Sequence, residues 1–427
     1  MTQADRQHNS IARFAAYTIG LILVLLPFHA FFTSWLGSNF EHLDLFRIWK
    51  ELIVVALVPM AIYLIARQAA LRQWLRQGWL PSLILVYLLL HLLLGWLAII
   101  HGQVNRTALI YGLLINLRYL GFFIIVVVVA SQTDFLQRHW RQLILIPAAI
   151  VVGFGLLQRL ALPYNFLRHF GYGPNTIPAY QTVDQKLAYR RIQSTLRGAN
   201  PLGAYLVLVL PLGMLTLKKQ WFRILFLLGG GAALFYTYSR SGWIGLFVTL
   251  LILAWLKPHP KKHRWFGLTA VLLVVATTGV VLLRHNSLVE NTIFHTDNTS
   301  QSSASSNAGR LSGLKAAYND VVREPLGRGP GTAGPASARN NHPARIAENY
   351  FLQLGQEVGI LGLVIFVVIN LIVARSLWQA RSEPLAFVLL ASLVGLSVIN
   401  MVSHAWCTSR SVLRFFLVLH LSAAAKR

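Results

Sequence analysis

Three arginines and the Asn200 amide stand close together in the motif Arg190-Arg191-Ile-Gln-Ser-Thr-Leu-Arg197-Gly-Ala-Asn200-Pro201-Leu-Gly-Ala-Tyr205. Asn before Pro is a helix-start signal, so we predict that Asn200 caps a helix and that Pro201 takes its first position. The free backbone N–H groups of such a helix end, with arginines beside them, form a candidate anion site. An ordinary helix cap with arginines near a membrane surface accounts for the same residues equally well.

A second motif, Thr237-Tyr-Ser-Arg240-Ser-Gly-Trp243, is a polar interruption between two long apolar runs. An arginine in so short a turn can extend its guanidinium to a membrane interface without binding anything. It can equally border the same cavity as Arg191. The sequence leaves both interpretations open.

A third group comprises Glu324-Pro-Leu-Gly-Arg328-Gly-Pro-Gly331 and, further on, Ala347-Glu348-Asn349-Tyr350. Glu348 stands at the start of an apolar run, where the helix dipole favours an ionised carboxylate. Such a carboxylate is a candidate general base, and helix capping is the alternative role. His342 is a second candidate proton acceptor. We rank it below Glu348, because a loop histidine beside proline is usually just solvated.

Glu357 lies nine residues after Glu348, roughly 13 Å deeper in a helix that rises about 1.5 Å per residue. A carboxylate inside a membrane span needs a partner, and we predict a structural ion pair with Arg118. Gly359 and Gly362 are interpreted as close-packing positions.

The composition indicates which class of protein carries these residues. The chain has 427 residues, 56% of them apolar and 12% charged, with a mean hydropathy of +0.57, which excludes a soluble globular domain. Continuous apolar runs favour helices over a membrane barrel. We therefore predict an all-α polytopic membrane protein of about twelve spans with both termini inside. The predicted spans are 14–33, 51–66, 81–100, 108–130, 143–157, 201–217, 224–238, 241–256, 265–283, 350–374, 385–402 and 411–424.

The net charge of +25 divides into two populations when the spans are oriented by the positive-inside rule. The predicted inner loops and termini carry 18 basic and three acidic residues, an excess of 15. The other 20 basic residues, all arginine except Lys50, Lys186 and Lys315, face ten acids, an excess of 10. The guanidinium fork suits phosphate recognition, so the outer excess indicates a phosphate-bearing ligand; attraction to anionic headgroups is the alternative.

Four regions follow from this topology. The N-terminal spans occupy residues 1–130, and the central spans occupy residues 131–283 with an external segment at 159–200. A large external loop covers residues 284–349, and the C-terminal spans cover residues 350–427. The loop opens with a Ser/Asn/Thr-rich stretch, 295–307, interpreted as linker. Apolar residues at helical spacing predict an amphipathic helix over 310–323, ended by Glu324-Pro325, on the membrane or over a cavity mouth.

Taken in order, these motifs resemble the O-antigen ligase and polymerase superfamily of bacterial membrane glycosyltransferases. The resemblance covers residues 118–362 and rests on four features: the segment ending in Asn200-Pro201, the Ser239-Arg240 turn, the Pro325–Gly331 stretch, and the start of the tenth span. Ligases of this family carry histidine and then Asn, Ser or Gln at that start. Here Glu348 stands at the histidine position and is followed by Asn349. Nine residues separate Asn349 from Gly359.

The resemblance implies a glycosyltransferase C-type fold in the bacterial inner membrane, with a site facing the periplasm or outside. It implies transfer of a glycan from a polyprenyl-pyrophosphate carrier to an acceptor hydroxyl, with inversion and without metal, nucleotide or other cofactor. Arg191 and Arg240 would stabilise the pyrophosphate and Glu348 would act as base. The predicted substrate-binding residues are Arg197, Asn200, Arg310, Arg328, Asn349 and Tyr350.

Two further functions remain open from sequence. A glycan polymerase would use the same donor with a different acceptor. A transporter or flippase of an anionic or lipid-linked solute would also need a basic cavity, but the paired broken helices and internal symmetry of transporters are not evident in the sequence. The partners are glycan donor, acceptor and membrane lipids, with no nucleic acid.

Overall fold

The computed structural model describes residues 3–183, 186–256, 286 and 306–403. Apart from a short hairpin, the regular structure of these residues is helical. In the first half the helices are α1 Gln3–Leu25, α2 His29–Asn39, α3 Leu43–Arg67, α4 Ala69–Gln77, α5 Trp79–Ile100, α6 Arg106–Ala130 and α7 Phe135–Leu160. The second half contains α8 Ala199–Thr216, α9 Gln220–Tyr236, α10 Arg240–Leu256, α11 Ser306–Arg323, α12 Gly334–Ser337, α13 Tyr350–Gln379 and α14 Pro384–Asn400.

Membrane-spanning helices dominate the described chain. Seven segments are long and apolar enough to cross a bilayer, and α10 and α14 are shorter apolar helices. The predicted all-α polytopic fold is confirmed. Ten of the twelve predicted spans coincide with helices, whereas the predicted spans 265–283 and 411–424 lie outside the described residues, as does most of the predicted linker.

Two of the spans are broken. The first bends through a 3-10 turn, Leu26–Phe28, where Pro27 removes a helix hydrogen-bond donor. The second break lies inside α13 at Gly359, whose backbone is left-handed and non-helical (φ 68°, ψ −175°). The sequence analysis anticipated neither break.

The gap at Gly359 is filled by the chain's own glycine-rich loop. Ile360 N donates to the Pro325 carbonyl at 2.8 Å, and Gly329 N donates to the Glu357 carbonyl at 2.8 Å. A Cβ on Gly359 would lie 2.3 Å from the Pro325 oxygen. The predicted close-packing role of Gly359 is therefore confirmed, and loop and broken helix form one unit.

Helix α8 lies at the centre of the bundle and is buried on nearly every side. It packs against α10 and α14, where small residues allow close approach. A Cβ on Gly203 would lie 3.0 Å from the Ser239 Cβ and 3.5 Å from the Gly242 Cα of α10. The first turn of α8 is thus held rigidly at one end of the bundle.

The amphipathic helix is present as α11, Ser306–Arg323, and ends where predicted, immediately before Glu324-Pro325. It begins four residues earlier than expected. Its apolar residues divide between two faces: Val321 packs against Gly355 of α13, whereas Leu311, Tyr318 and Val322 are exposed.

A two-stranded antiparallel hairpin was not predicted. Strand β1, Gln181–Val183, pairs with β2, Lys186–Arg191, and Gln181 lies opposite Arg191. The strands sit in the segment that precedes α8, so the hairpin brings Arg191 to the start of that helix.

Candidate functional site

Arg191, the last residue of β2, links the ends of two membrane helices. Its Nε donates to the Thr237 carbonyl after α9 at 2.8 Å, and its Nη2 donates to the Asn200 side-chain oxygen at 2.6 Å. The prediction that Asn200 caps α8 is wrong. The helix begins at Ala199 after Gly198, so Asn200 lies in the first turn, where its side chain is occupied by Arg191.

The loop after Arg191 is anchored in the bundle. Gln158 of α7 accepts from the backbone of Gln193 and Ser194 at 3.2 and 2.9 Å. The Thr195 hydroxyl donates to the Pro27 carbonyl at the break of the first span, at 3.0 Å. These contacts fix the backbone on the C-terminal side of Arg191.

Arg240 is the first residue of α10. The chain reaches it through Tyr238, a bulky residue with left-handed φ of 48°, a conformation that costs on the order of 1–3 kcal/mol and is found disproportionately at ligand sites. The Ser239 hydroxyl accepts from Gly242 N at 3.3 Å within the first turn. The strained turn directs Arg240 into the same end of the bundle as Arg191.

Glu348 forms an ion pair with Arg310 of α11, with Arg310 Nε 2.6 Å from Glu348 Oε2. Both side chains are about two-fifths exposed, at 38% and 44%, so the pair is open to solvent. Capping does not explain Glu348, because Asn349 caps α13 by accepting from Leu352 N at 3.0 Å. Asn349 also donates to the Met401 carbonyl at 3.0 Å, which leaves it a structural role.

Arg191, Arg240 and Arg310, termed here the arginine cluster, lie within electrostatic reach of one another. Burial, followed by the positive charges of Arg310 and Arg240, lowers the pKa of Arg191 to about 10. The guanidinium nevertheless stays protonated near neutral pH. Three cations therefore converge beside a single carboxylate, Glu348, and the site carries an excess of positive charge suited to a multiply charged anion.

A cavity of about 570 Å³ opens beside this cluster. It lies between the hairpin and the first turn of α8, and its walls include Arg191, Arg197 and Asn200. Tyr180 and Gln181 complete the opposite wall. Sequence reasoning missed both, because only the unpredicted hairpin brings them to α8.

Other predicted substrate-binding residues lie elsewhere. Tyr350 is fully buried, with its hydroxyl 3.5 Å from the Asn116 oxygen, so the structure places this side chain in the packing between helices. The Arg328 guanidinium is held by both oxygens of Glu324. His342 lies 2.9 Å from the Gly102 carbonyl and fixes the loop to the start of α6.

The predicted Arg118–Glu357 ion pair is also wrong. Arg118 pairs with Glu51 of α3 at 2.8 Å. Glu357 is buried and accepts from Asn116 Nδ2 at 2.7 Å and from Gly331 N at 2.8 Å. A neutral amide and a backbone N–H satisfy this carboxylate, so it fastens the glycine-rich loop to α13.

Arg190 shows why adjacent arginines differ in role. Its Nη2 donates to the Gln158 and Arg159 carbonyls at the end of α7, at 3.0 and 3.3 Å. Orphan carbonyls at a helix end take cationic donors readily. Burial, then the charge of Arg159, lowers the pKa of Arg190. This side chain belongs to the scaffold.

Comparison with protein families finds a partial match. The family model described as O-antigen ligase matches residues 224–367. This part of the chain is similar to the O-antigen ligase family. The matched region contains Arg240, Arg310, Glu348 and the break at Gly359, whereas Arg191 precedes it. No curated protein matches the sequence.

The matched family comprises enzymes that transfer glycans as ligases or polymerases, and the described part of this chain has seven helices long and apolar enough to cross a membrane. Substrates of this family are in general glycans and lipid-linked molecules. The matched region supplies two of the three clustered arginines and the carboxylate. The preceding hairpin supplies the third arginine, and the residues that line the cavity all precede the matched region.

Proposed function

We propose that the protein transfers a glycan from a polyprenyl-pyrophosphate carrier to an acceptor hydroxyl, with inversion, at the outer face of a bacterial inner membrane. The observation that carries this proposal is the convergence of Arg191, Arg240 and Arg310 with Glu348 at one end of the bundle. A glycosyltransferase C-type fold and a reaction without metal or other cofactor are part of the proposal.

The arginine cluster would act on the leaving group. As the bond from the anomeric carbon to the pyrophosphate oxygen breaks, negative charge grows on that oxygen. Donors already in position stabilise such charge without reorganising. Arg191 meets this condition, because Thr237 and Asn200 hold its guanidinium from two sides.

Glu348 would accept the proton of the acceptor hydroxyl. Its ion pair with Arg310 aligns it, but a paired carboxylate has less free lone-pair capacity. We infer that pyrophosphate attracts Arg310 toward the cluster and frees Glu348 as the donor binds. The acceptor oxygen then attacks the anomeric carbon from the face opposite the pyrophosphate, and the configuration inverts.

Two observations bear on the alternatives. A polymerase would use the same cluster with a growing glycan as acceptor, so the acceptor alone separates it from a ligase. The broken spans at Pro27 and Gly359 are a transporter-like feature. The half-helix ends at Gly359, however, are filled by Pro325 and Gly329 backbone rather than open to a solute, which favours the enzyme.

The test uses the purified full chain in nanodiscs with a polyprenyl-pyrophosphate glycan and candidate acceptors. We expect Arg191→Ala and Glu348→Gln each to lower the transfer rate by about 100-fold or more. Arg323→Gln, a change at the exposed end of α11, should leave the rate unchanged. The anomeric configuration of the product, read by NMR, reports inversion. Equal product from wild type and Glu348→Gln would remove the glutamate from the mechanism.

A further inference from the structure

A second group of charged side chains lies inside the first membrane helices, outside the arginine cluster. It comprises His29, Lys50, Glu51, Arg118 and Arg197 and is termed here the Lys50 cluster. Lys50 stands seven residues after the start of α3, about 10 Å along the helix. Ionisable side chains at such positions in spans are rare and mark ligand or ion sites.

The Lys50 cluster adjoins the cavity beside α8. Arg197 lines that cavity, and Arg118 and Arg197 both act electrostatically on the His29 ring. The Thr195 contact to the Pro27 carbonyl at 3.0 Å ties the Arg197 loop to the backbone two residues before His29. The Arg118 and Lys50 side chains keep 29% and 15% of their surface exposed, so the cluster is not sealed.

The hydrogen-bond partners of His29 place two donors, the His29 Nε2–H and the Lys50 ammonium, opposite each other. The Trp49 indole N–H, which can only donate, lies 2.9 Å from His29 Nδ1, so Nδ1 is the acceptor and Nε2 of the neutral ring carries the proton. Nε2 lies 3.1 Å from Lys50 Nζ. The remaining Lys50 protons face the Arg47 carbonyl and the Glu51 carboxylate, each at 3.1 Å.

An additional acceptor would satisfy both groups. A neutral Lys50 could accept from His29 Nε2–H, but the Glu51 carboxylate would then face one cation, Arg118, instead of two. The cluster also sets three cations, Lys50, Arg118 and Arg197, against the one carboxylate of Glu51. Excess donors and excess positive charge at one point favour an anion with several oxygens.

We propose that the Lys50 cluster binds the phosphate group of a membrane lipid, at a site separate from the arginine cluster. His29 Nε2–H and the Lys50 ammonium donate to the same phosphate, and Arg118 and Arg197 supply charge from either side. The acyl or prenyl chain remains in the bilayer beside α3. The site is independent of the transfer reaction, so it stands or fails on binding alone.

The test measures lipid binding by native mass spectrometry of the full chain in maltoside detergent. The probes are phosphatidylglycerol, a short polyprenyl phosphate and inorganic phosphate. Wild type should bind one lipid phosphate that Lys50→Gln and Arg118→Gln hold at least about tenfold more weakly. Whichever lipid probe binds more tightly identifies the source of the phosphate.

Controls separate this site from its neighbours. Arg47→Gln removes one positive charge a single turn away, where Arg47 pairs only with exposed Asp44 among the contacts described, and should bind like wild type. Lys50→Arg should retain binding even if Lys50→Gln folds poorly, and Arg191→Gln should not weaken it. Equal affinity in wild type and both cluster variants overturns the proposal, as does displacement of the lipid by inorganic phosphate at equal concentration.

Discussion

At the scale of single residues, the site depends on charge repulsion between three arginines that only the fold brings together. Arg191, Arg240 and Arg310 are far apart in sequence, and each alone is an ordinary arginine near a membrane surface. Together they repel, and burial followed by the charges of Arg310 and Arg240 lowers the pKa of Arg191 to about 10. The folded protein therefore disfavours the charged form of Arg191 until an anion arrives.

We predict that pyrophosphate raises the unfolding temperature of the wild type, since a ligand that binds only the folded state stabilises it. The shift should shrink in Arg191→Gln and persist in Arg190→Gln, whose guanidinium is committed to the end of α7. A thermal unfolding series with increasing pyrophosphate measures it. An equal shift in all three proteins would contradict the assignment.

The pH dependence of that shift has a definite sign. Anion binding needs the protonated guanidinium, which is fully populated well below the folded pKa and lost as pH rises through about 10. The pyrophosphate shift should therefore decline as the pH rises above about 10. In the unliganded protein the sign is opposite: stability recovers across the same range, because Arg191 loses its penalised charge.

At the scale of elements, local signals were reliable and long-range ones were not. Apolar runs placed ten spans, and Glu324-Pro325 fixed the end of α11, because proline blocks helix continuation. The sequence did not predict the hairpin, because the paired segments around Gln181 and Arg191 lack the alternating apolar residues that mark a strand. Arg118 was assigned to Glu357 by depth alone, whereas Glu51, 67 residues away in sequence, lies nearer in space.

The break in α13 makes Gly359 irreplaceable. Gly359→Ala should lower the free energy of unfolding by about 2 kcal/mol or more, because alanine disfavours the positive φ and its Cβ would meet the Pro325 carbonyl at 2.3 Å. Thermal stability in detergent measures the loss. Gly121→Ala on α6, where a Cβ meets nothing within 4 Å, should be neutral or slightly stabilising; similar losses in both would show that the break is not the cause.

Substitutions of the buried Glu357 test whether the glycine-rich loop is fastened to α13. Glu357→Leu leaves Gly331 N–H and the Asn116 amide without their acceptor, at about 1–3 kcal/mol for each unsatisfied group. Glu357→Gln keeps the size and one oxygen, so it should destabilise much less. Thermal unfolding of both variants checks the order. A leucine variant as stable as the glutamine variant would mean that the carboxylate does not fasten the loop.

At the scale of the whole molecule, the distribution of charge predicts one orientation of the helices. In the predicted topology the spans alternate between the two ends of the bundle. The predicted inner end gathers an excess of 15 positive charges and the outer end an excess of 10, nearly all arginine. Mixed lysine and arginine charge at the inner end orients the helices, whereas the outer arginines include the arginine cluster and, from the Lys50 cluster, Arg118 and Arg197.

That orientation predicts which surfaces a membrane-impermeant thiol reagent reaches. With the sole cysteine replaced by Cys407→Ser, Ser312→Cys on α11 should be labelled in intact spheroplasts, and Gln73→Cys on α4 only after lysis. Both positions are exposed, so the difference reports the side of the membrane and not burial. The reverse pattern would turn the arginine cluster toward the cytoplasm, where a site for an externally displayed lipid-linked glycan has no access to its donor.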